Sequence, residues 1–247
     1  MSNSVISTLK TWLYRTVPNT YFMLRDLYQS IKLKTTGELK RIQKKSEQLT
    51  TDDTIFDFAR QFIFPCQLKS EILALIEFLN QKQPGIYLEI GTANGGTHYL
   101  IRRLCPTIQK SIGIDIDVKN KSLIDRITST RSAHYIIGES GTLKTIQRVE
   151  SILGSDEKLD VLFLDGDHSY EGVSGDFSLY NKYVRRGGII IFHDIVQDHG
   201  QRFGKQTNKY TGDVPRFYAE IKEDYEHYEF IEEPDQDGFG IGVIVTS

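Results

Sequence analysis

From residue 86 onward, short apolar runs alternate with longer segments of helical length. The apolar runs are IYLEI (86–90), SIGID (111–115), HYII (134–137), VLFLD (161–165) and GIIIFHD (188–194). Helical segments lie between them at 97–104, 120–130, 142–153 and 172–184. Continuous apolar strands separated by helices are typical of a parallel sheet with both faces covered, so the pattern predicts an α/β fold.

Further elements are predicted on both sides of this alternation. Before it, QLKSEILALIEFL places apolar residues at helical spacing on one face, namely Leu68, Ile72, Leu75, Ile76 and Leu79. After it come a polar loop (195–213), a helix near 214–224 and two strands, HYEFI and GIGVIV. Because a loop of about 19 residues usually has a function, we expect a substrate lid, with disorder as the alternative.

The first 60 residues form a predicted helical extension with its own charge, and 61–247 form the main domain. Residues 1–50 contain nine Lys and Arg against three Asp and Glu, a net charge of +6, whereas the rest of the chain carries −9. The extension is also rich in aromatic residues. It is predicted to pack on the body or on a second copy in a homo-oligomer, or to lie weakly on a membrane surface.

The overall composition limits the location and the partners. The acidic body lacks the basic groove that nucleic acid requires, so no nucleic-acid partner is expected. The two cysteines, Cys66 and Cys105, form no CxxC pair, which suits a reducing compartment. No apolar run is long enough to span a membrane, and the first residues lack a secretory signal, so we predict a cytoplasmic protein.

A glycine-rich segment, YLEIGTANGGTHYL (87–100), follows the first predicted strand. Its glycines let the backbone turn sharply and approach a ligand closely. The spacing differs from the GxGxxG of dinucleotide sites, and no nucleoside triphosphate loop is present. Glu89 stands just before the turn, where it would repel a phosphate. The segment therefore favours a ligand that is cationic or carries an amine.

The next two strands also end in polar residues. Asp115 ends the second strand, where a carboxylate can accept hydrogen bonds from both hydroxyls of a ribose, although it could also serve as a helix cap. Ser140 follows the third strand and is placed either to contact an adenine edge or to cap the next helix. Both positions are compatible with a nucleoside site.

Ionisable residues are concentrated at the ends of the fourth and fifth strands. Asp165, Asp167 and His168 follow VLFL, and His193–Asp194 ends IIIFHD. Ligands in open α/β sheets bind at this edge, so these side chains are expected to converge. Each is explicable alone as a turn or a cap. Together they indicate a metal site beside a catalytic base.

Four motifs in this order resemble those of class I S-adenosylmethionine-dependent methyltransferases. They are LEIGTANGG, GIDID, DVLFLDGDHSYEGV and RRGGIIIFHDI. More narrowly, residues 65–247 resemble the group that holds cephalosporin hydroxylase-like enzymes and the macrolide or rhamnosyl O-methyltransferases. The resemblance implies a Rossmann-like, doubly wound seven-stranded sheet with the last strand antiparallel. The S-adenosylmethionine-binding residues would be Glu89, Gly91, Thr92, Gly95, Asp115 and Ser140.

The same resemblance implies roles for the charged cluster. Metal-dependent O-methyltransferases of this fold take ligands from positions that match Asp165 and the pair His193–Asp194, and His168 matches a catalytic base. Relatives usually carry an acidic residue where this chain has His193. Mg²⁺ prefers oxygen ligands, so His193 either recruits a softer divalent metal such as Mn²⁺ or Fe²⁺ or does not bind the ion.

The predicted function is an S-adenosylmethionine-dependent O-methyltransferase, assisted by a divalent metal, that modifies a hydroxyl of a small molecule or sugar. A metal lowers the pKa of a hydroxyl, and a nearby imidazole can take its proton. The alternatives are a metal-independent enzyme with His168 or His193 as base, and a non-catalytic S-adenosylmethionine-binding module. The sequence does not identify the acceptor.

Overall fold

The computed structural model describes residues 36–128 and 132–247. The chain divides into two compact units after Leu49, rather than at residue 60 as the sequence predicted. The described part of the first unit contains helix α1 (Thr36–Glu47), in which Glu38 and Arg41 form an ion pair. The aromatic and basic segment before residue 36, with its predicted helices and membrane-surface alternative, lies outside the described residues.

The second unit alternates helices and strands as predicted. In chain order its elements are α2 (Asp52–Phe62), α3 (Lys69–Lys82), β1 (Ile86–Ile90), α4 (Gly96–Leu104), β2 (Lys110–Asp115), α5 (Lys121–Ile127), β3 (Ser132–Ile137), α6 (Leu143–Leu153), β4 (Leu159–Leu164), α7 (Tyr170–Tyr180), β5 (Val184–His193), α8 (His199–Phe203), α9 (Val214–Ile221), β6 (Glu226–Phe230) and β7 (Ile241–Val245). In the described ranges, no helix is both long and apolar enough to cross a membrane.

The strands form one seven-stranded sheet in the order β3-β2-β1-β4-β5-β7-β6. Strands β1 to β5 are parallel, and β7 lies between β5 and β6 and runs antiparallel to both. This confirms the predicted doubly wound sheet with its antiparallel last strand. The order reverses between β1 and β4, and such a switch point opens a crevice beyond the strand ends.

The centre of the sheet is buried on both faces. Leu88 of β1 and Leu162 and Phe163 of β4 have no exposed surface. Burial of such side chains stabilises the fold by roughly 1.5–3 kcal/mol each. Helix α2 packs on α4 within this unit, so residues 52–62 belong to the main domain. The central strand ends are thus held rigidly.

The polar loop between β5 and α9 is folded. Asp198 caps the N-terminus of α8, because its Oδ1 accepts from the backbone N–H of Gln201 (3.0 Å), and its own N–H donates to Oγ1 of Thr211 (3.3 Å). A Cβ at Gly212 would lie 2.2 Å from the carbonyl oxygen of His168, so only glycine lets the loop approach so closely. The loop therefore forms a fixed wall beside the end of β4, and its predicted lid motion stays a prediction.

Candidate active site

Two cavities open at the carboxyl edge of the sheet. Cavity A has a volume of about 590 Å³, and its walls include Asp115, Ile116, Ser140, Asp176 and Leu179. Cavity B has a volume of about 310 Å³, and its walls include Phe64, His168, Asp194, Lys209 and Phe239. The two cavities share Gly91, Ala93 and Asp165. They are therefore adjacent compartments at the switch point.

The glycine-rich segment owes its geometry to contacts with neighbouring strands. Gly91 has φ +88°, and a Cβ there would lie 1.9 Å from the carbonyl oxygen of Asp165. Gly95 has φ +80°, and a Cβ there would lie 2.1 Å from Cδ1 of Ile124. Gly91 lines both cavities, Thr92 lines cavity B, and Gly95 lines neither. Of the three predicted cofactor residues here, the structure brings only Gly91 to cavity A.

Asp115 and Ser140 both reach cavity A. The carboxylate of Asp115 accepts from the backbone N–H groups of Ala93 (2.7 Å) and Asp117 (2.8 Å), which fix it at the end of β2. Ser140 does not cap the next helix, because Thr142 does so. Its hydroxyl donates instead to Oδ1 of Asp176 (2.5 Å).

Sequence reasoning missed Asp176. It lies on α7 and is only 6% exposed, although it lines cavity A. Burial, opposed by the hydrogen bond from Ser140, raises the pKa of Asp176 to about 6. Its position inside a helical segment gave no sign of a site. A buried carboxylate in the wall of a cavity suits a ligand that carries amines or positive charge.

Glu89 lies in neither cavity, contrary to its predicted contact with the cofactor. Side chains alternate along a strand, and Glu89 points with Tyr87 towards α4 rather than along the strand to its tip. Its Oε2 accepts from the Tyr87 hydroxyl (2.8 Å) and contacts Nδ1 of His98 (2.9 Å). Nε2 of His98 lies 3.1 Å from Oγ of Ser111. We call these four residues the interior cluster.

Burial determines the charge of the interior cluster. Glu89 is 1% exposed and His98 is fully buried. Burial raises the pKa of Glu89 well above its ordinary value and lowers the pKa of His98 to about 3. Both side chains are therefore held towards their neutral forms, which low-dielectric surroundings favour.

The ends of β4 and β5 bring Asp165, His168, His193 and Asp194 together, and we call these the edge cluster. Oδ1 of Asp165 lies 3.1 Å from Nδ1 of His193 and 3.5 Å from Nε2 of His168. Oδ2 of Asp194 lies 3.4 Å from Nδ1 of His193 and 3.5 Å from Nδ1 of His168. Nδ1 of His168 is also 3.2 Å from the carbonyl oxygen of Tyr210. Two carboxylates thus alternate with two imidazoles.

His193 and Asp165 of the edge cluster stabilise each other's charged forms. Burial opposes ionisation of His193, but Asp165 and Asp194 outweigh it and raise the pKa of His193 to about 9. Burial likewise works against the Asp165 anion, but His193 and His168 lower its pKa to about 2. Nε2 of His193 is buried with no hydrogen-bond partner among the described residues. The cluster holds ionised groups, in contrast to the interior cluster.

The ligand atoms that converge differ from the predicted set. Asp165, His168 and Asp194 each offer one atom within 4.8 Å of the others, an arrangement that could hold a metal ion. The predicted set contained His193 in place of His168. His193 is 3% exposed, and its Nδ1 faces the two carboxylates, so it acts as their cationic partner in this arrangement. The geometry therefore moves His168 into the candidate metal group.

Backbone strain is concentrated around cavity B. Five described residues other than glycine have left-handed φ values, and four of them line this cavity: Phe64 (65°), Ala93 (44°), Asp194 (61°) and Phe239 (62°). Such conformations cost of order 1–3 kcal/mol each and persist where the surrounding structure imposes them. One hydrogen bond stabilises two of these residues, since the N–H of Phe239 donates to Oδ1 of Asp194 (3.1 Å).

Two buried residues near α3 hold the edge cluster in place and were also missed. Gln67 donates from Nε2 to Oδ2 of Asp165 (2.9 Å), and its Oε1 accepts from Thr97. Glu71 accepts from Nε2 of Gln236 (2.7 Å) and from the N–H of Gly240 (3.1 Å), which fixes the segment that carries Phe239. Glu71 stands on the apolar face of its helix, a signal that the sequence did contain.

Comparisons with known proteins identify the family and the fold. The family model described as Rhamnosyl O-methyltransferase/CmcI matches residues 56–241. The uncharacterized protein R132 of Acanthamoeba polyphaga mimivirus is 33% identical over 150 residues, which are 54% of this chain and 62% of that protein. This chain thus covers less than two thirds of that relative's length.

Two solved structures share the fold. An O-methyltransferase from Bacillus cereus in complex with SAH has a TM-score of 0.60 and 19% identity, over 83% of this chain and 96% of that one. The O-methyltransferase TomG from Streptomyces achromogenes, in complex with SAM, has a TM-score of 0.56 and 18% identity, over 83% and 95%. The chain therefore belongs to the rhamnosyl O-methyltransferase/CmcI family of S-adenosylmethionine-dependent O-methyltransferases.

Proposed function

We propose that the protein transfers the methyl group of S-adenosylmethionine to a hydroxyl of a small molecule or sugar, with the help of a divalent metal. The observation that carries this proposal is the shared border of the two cavities. Cavity A suits the methyl donor and cavity B the acceptor, and Asp165 lines both. A donor and an acceptor bound there would face each other beside the edge cluster.

The walls of cavity A match the parts of S-adenosylmethionine. Asp115 offers carboxylate oxygens for the two ribose hydroxyls, and Ile116 and Leu179 offer apolar surface for the adenine ring. Ile116 is 72% exposed, so its side chain is accessible to a ligand in cavity A. The neighbours from Bacillus cereus and Streptomyces achromogenes contain SAH and SAM, which supports this ligand for the shared fold.

The donor set of the edge cluster fits a divalent cation. Asp165 and Asp194 offer oxygen atoms for the ion, and a nitrogen of His168 lies within 4.8 Å of them. Carboxylates alone suit Mg²⁺, whereas a set that includes imidazole also suits Mn²⁺ or Fe²⁺. A cation bound there would orient the acceptor hydroxyl and lower its pKa.

His168 is the proposed proton acceptor. Its Nδ1 faces the carbonyl oxygen of Tyr210, which can only accept, so this nitrogen carries a hydrogen. In the neutral ring Nε2 then keeps a lone pair, and His168 lines cavity B. The acceptor oxygen bonds to the methyl carbon, the carbon–sulfur bond breaks with its electrons left on sulfur, and the hydroxyl proton passes to Nε2. Asp165 and Asp194 stabilise the resulting imidazolium.

A second arrangement uses the same atoms differently. Because His168 belongs to the group that could hold a metal, Nε2 could be the third ligand, and the proton would then pass to solvent. His168→Ala separates the two. If His168 is the base, the variant keeps its Mn²⁺ affinity and loses roughly 10²–10⁴ in rate. If His168 is a metal ligand, the variant loses both Mn²⁺ affinity and rate.

The proposed function is tested by binding and turnover together. Calorimetry should show S-adenosylmethionine binding, weakened by roughly 1.5–3 kcal/mol in Asp115→Ala through loss of charge-assisted hydrogen bonds. Release of S-adenosylhomocysteine should then be measured with a panel of hydroxylated small molecules and glycosides, before and after chelation. Binding without any turnover across the panel would favour the non-catalytic alternative, and turnover unaffected by chelation would favour the metal-independent one. The cytoplasmic location and a homo-oligomer stay predictions.

A further inference from the structure

Lys209, in the wall of cavity B, stands next to the proposed acceptor but has no role in the scheme above. We propose that it binds a carboxylate on the methyl acceptor, so that cavity B selects acidic hydroxyl compounds. This inference rests on the proposed function, because it assigns cavity B to the acceptor.

The ammonium group of Lys209 lies over an aromatic side chain in the cavity wall. Its Nζ is 3.8 Å from the ring centroid of Phe239, and both residues line cavity B with Phe64 and Tyr210. Lys209 is half-buried, in contrast to Lys205 of the same loop, which is exposed. A cation over a ring in a partly dry cavity is attracted to the ring, but it keeps donors for another partner.

Two carboxylates act electrostatically on Lys209, and both already accept hydrogen bonds from other groups. Asp237 accepts from the N–H of His199 (2.7 Å) and from the hydroxyl of Thr207 (2.6 Å). Asp194 accepts from the N–H of Phe239 and faces the two imidazoles. Within residues 36–128 and 132–247, no carboxylate forms an ion pair with Lys209. Partial burial of an ammonium without a counter-ion is unfavourable, and a ligand anion would remove that cost.

The segment that carries Lys209 is fixed in place. The N–H of Lys209 donates to Oγ1 of Thr207 (3.0 Å), which is itself bonded to Asp237. Gly238 packs against this segment, since a Cβ there would lie 3.1 Å from Cγ2 of Thr211. The backbone of Lys209 is therefore fixed, and the contact with Phe239 restrains its ammonium, which lowers the entropy lost when it binds an anion.

Charge and shape narrow the acceptor class. One ammonium matches a single negative charge, which favours a carboxylate over a doubly charged phosphate monoester. The aromatic residues in the walls favour a flat ring beside that carboxylate. A hydroxylated aromatic acid therefore fits cavity B, with its hydroxyl at the edge cluster and its carboxylate at Lys209.

The experiment compares two probes that differ in charge. Calorimetry on the protein saturated with S-adenosylhomocysteine and Mg²⁺ measures the affinity of 3,4-dihydroxybenzoate and of the uncharged 3,4-dihydroxybenzamide. We expect the acid to bind at least about tenfold tighter, as a charge-assisted contact predicts. Lys209→Met should remove this preference and Lys209→Arg should keep it. Lys205→Met, in the same loop, is the matched control and should keep it.

Equal affinity for the two probes, no binding of either, or a preference that survives in Lys209→Met would overturn the inference. The proposed function fails in a different way. If the protein binds no S-adenosylmethionine or releases no S-adenosylhomocysteine with any acceptor, while the acid still binds tighter than the amide through Lys209, the subsite stands and the methyl transfer does not.

Discussion

The interior cluster and the edge cluster contain the same chemical groups, carboxylate and imidazole, on neighbouring strands of one sheet. In the interior cluster Glu89 and His98 contact each other, Tyr87 and Ser111, and burial holds both towards their neutral forms. In the edge cluster Asp165 and His193 are held in their ionised forms, one nitrogen of His193 has no described partner, and the surrounding backbone is strained.

The difference shows that surroundings, and not residue type, decide which group of this kind does chemistry. A closed, satisfied network stabilises a core, because each polar atom has a partner. An open network that keeps charge beside a cavity can bind a cation or accept a proton. Substitutions in the two clusters should therefore differ in their effects on stability and on metal binding.

The largest effect is expected from Glu89→Ala in the interior cluster. Removing one partner of a buried network leaves Tyr87 and His98 unsatisfied, which costs about 3–5 kcal/mol of the free energy of unfolding. Urea denaturation measures this loss. The folded protein should bind Mn²⁺ as tightly as the wild type does. Weakened Mn²⁺ binding with unchanged stability would place Glu89 in the functional site.

Asp165→Asn should produce the reverse pattern. Loss of a residue that supports a metal ligand costs 10–100-fold in affinity, so loss of a ligand's charge should cost at least about a hundredfold. Electron paramagnetic resonance of free Mn²⁺ measures the affinity. Asn keeps the shape and can still accept from Gln67, but His193 loses one of its two counter-ions, so stability should also fall, by less than in Glu89→Ala. Full Mn²⁺ affinity in this variant would remove Asp165 from the metal site.

Asp176 sharpens the contrast, since it is a buried carboxylate that faces cavity A. Burial raises its pKa to about 6 from 3.8, so the folded protein holds this proton more tightly than the unfolded chain. Its contribution to stability is then fully present below pH 3.8 and is lost as the pH rises through 6. Asp176→Asn should therefore be more stable than the wild type by about 3 kcal/mol at pH 8 and by less than about 1 kcal/mol at pH 4.

The measurement for Asp176 is urea denaturation of both proteins at the two pH values. We also expect weaker S-adenosylmethionine binding in the variant at pH 8, because the cofactor carries positive charge. A stability difference that is independent of pH would show that the carboxyl group is not held protonated by burial.

The smallest effect is expected from Tyr87→Phe. This change removes one hydrogen bond to Glu89 and keeps the contact with His98, so the free energy of unfolding should fall by about 1 kcal/mol. Thermal denaturation measures the change. A loss as large as that of Glu89→Ala would mean that the interior cluster depends on the hydroxyl rather than on the carboxylate.

The parallel sheet and the convergence of polar residues at its edge were predictable because they depend on local pattern. Continuous apolar runs and intervening helices specify a parallel sheet, and its strand ends must then meet. The close approach of the backbone at Gly91 was also predictable, because only glycine tolerates the contact with Asp165. These features follow from one segment, or from two segments whose pairing the fold imposes.

The finer assignments were not predictable because they depend on side-chain direction and on distant partners. The sequence does not show that Glu89 points towards α4 while Asp165 points outward. Gln67 reaches Asp165 across 98 positions of the chain, and Ser140 reaches Asp176 across 36. The exchange of His193 for His168 in the candidate metal group likewise depends on ring orientation, which a motif does not encode.

The most direct test of the central claim is a crystal structure with S-adenosylhomocysteine and Mn²⁺ bound, with anomalous diffraction recorded at the manganese edge. The account predicts one anomalous peak in contact with Asp165 and Asp194, at the border between the ligand in cavity A and the open cavity B. It predicts none near Glu89 or His98. A peak elsewhere, or no peak at saturating Mn²⁺, would contradict the claim that the edge cluster is the metal-assisted centre of methyl transfer.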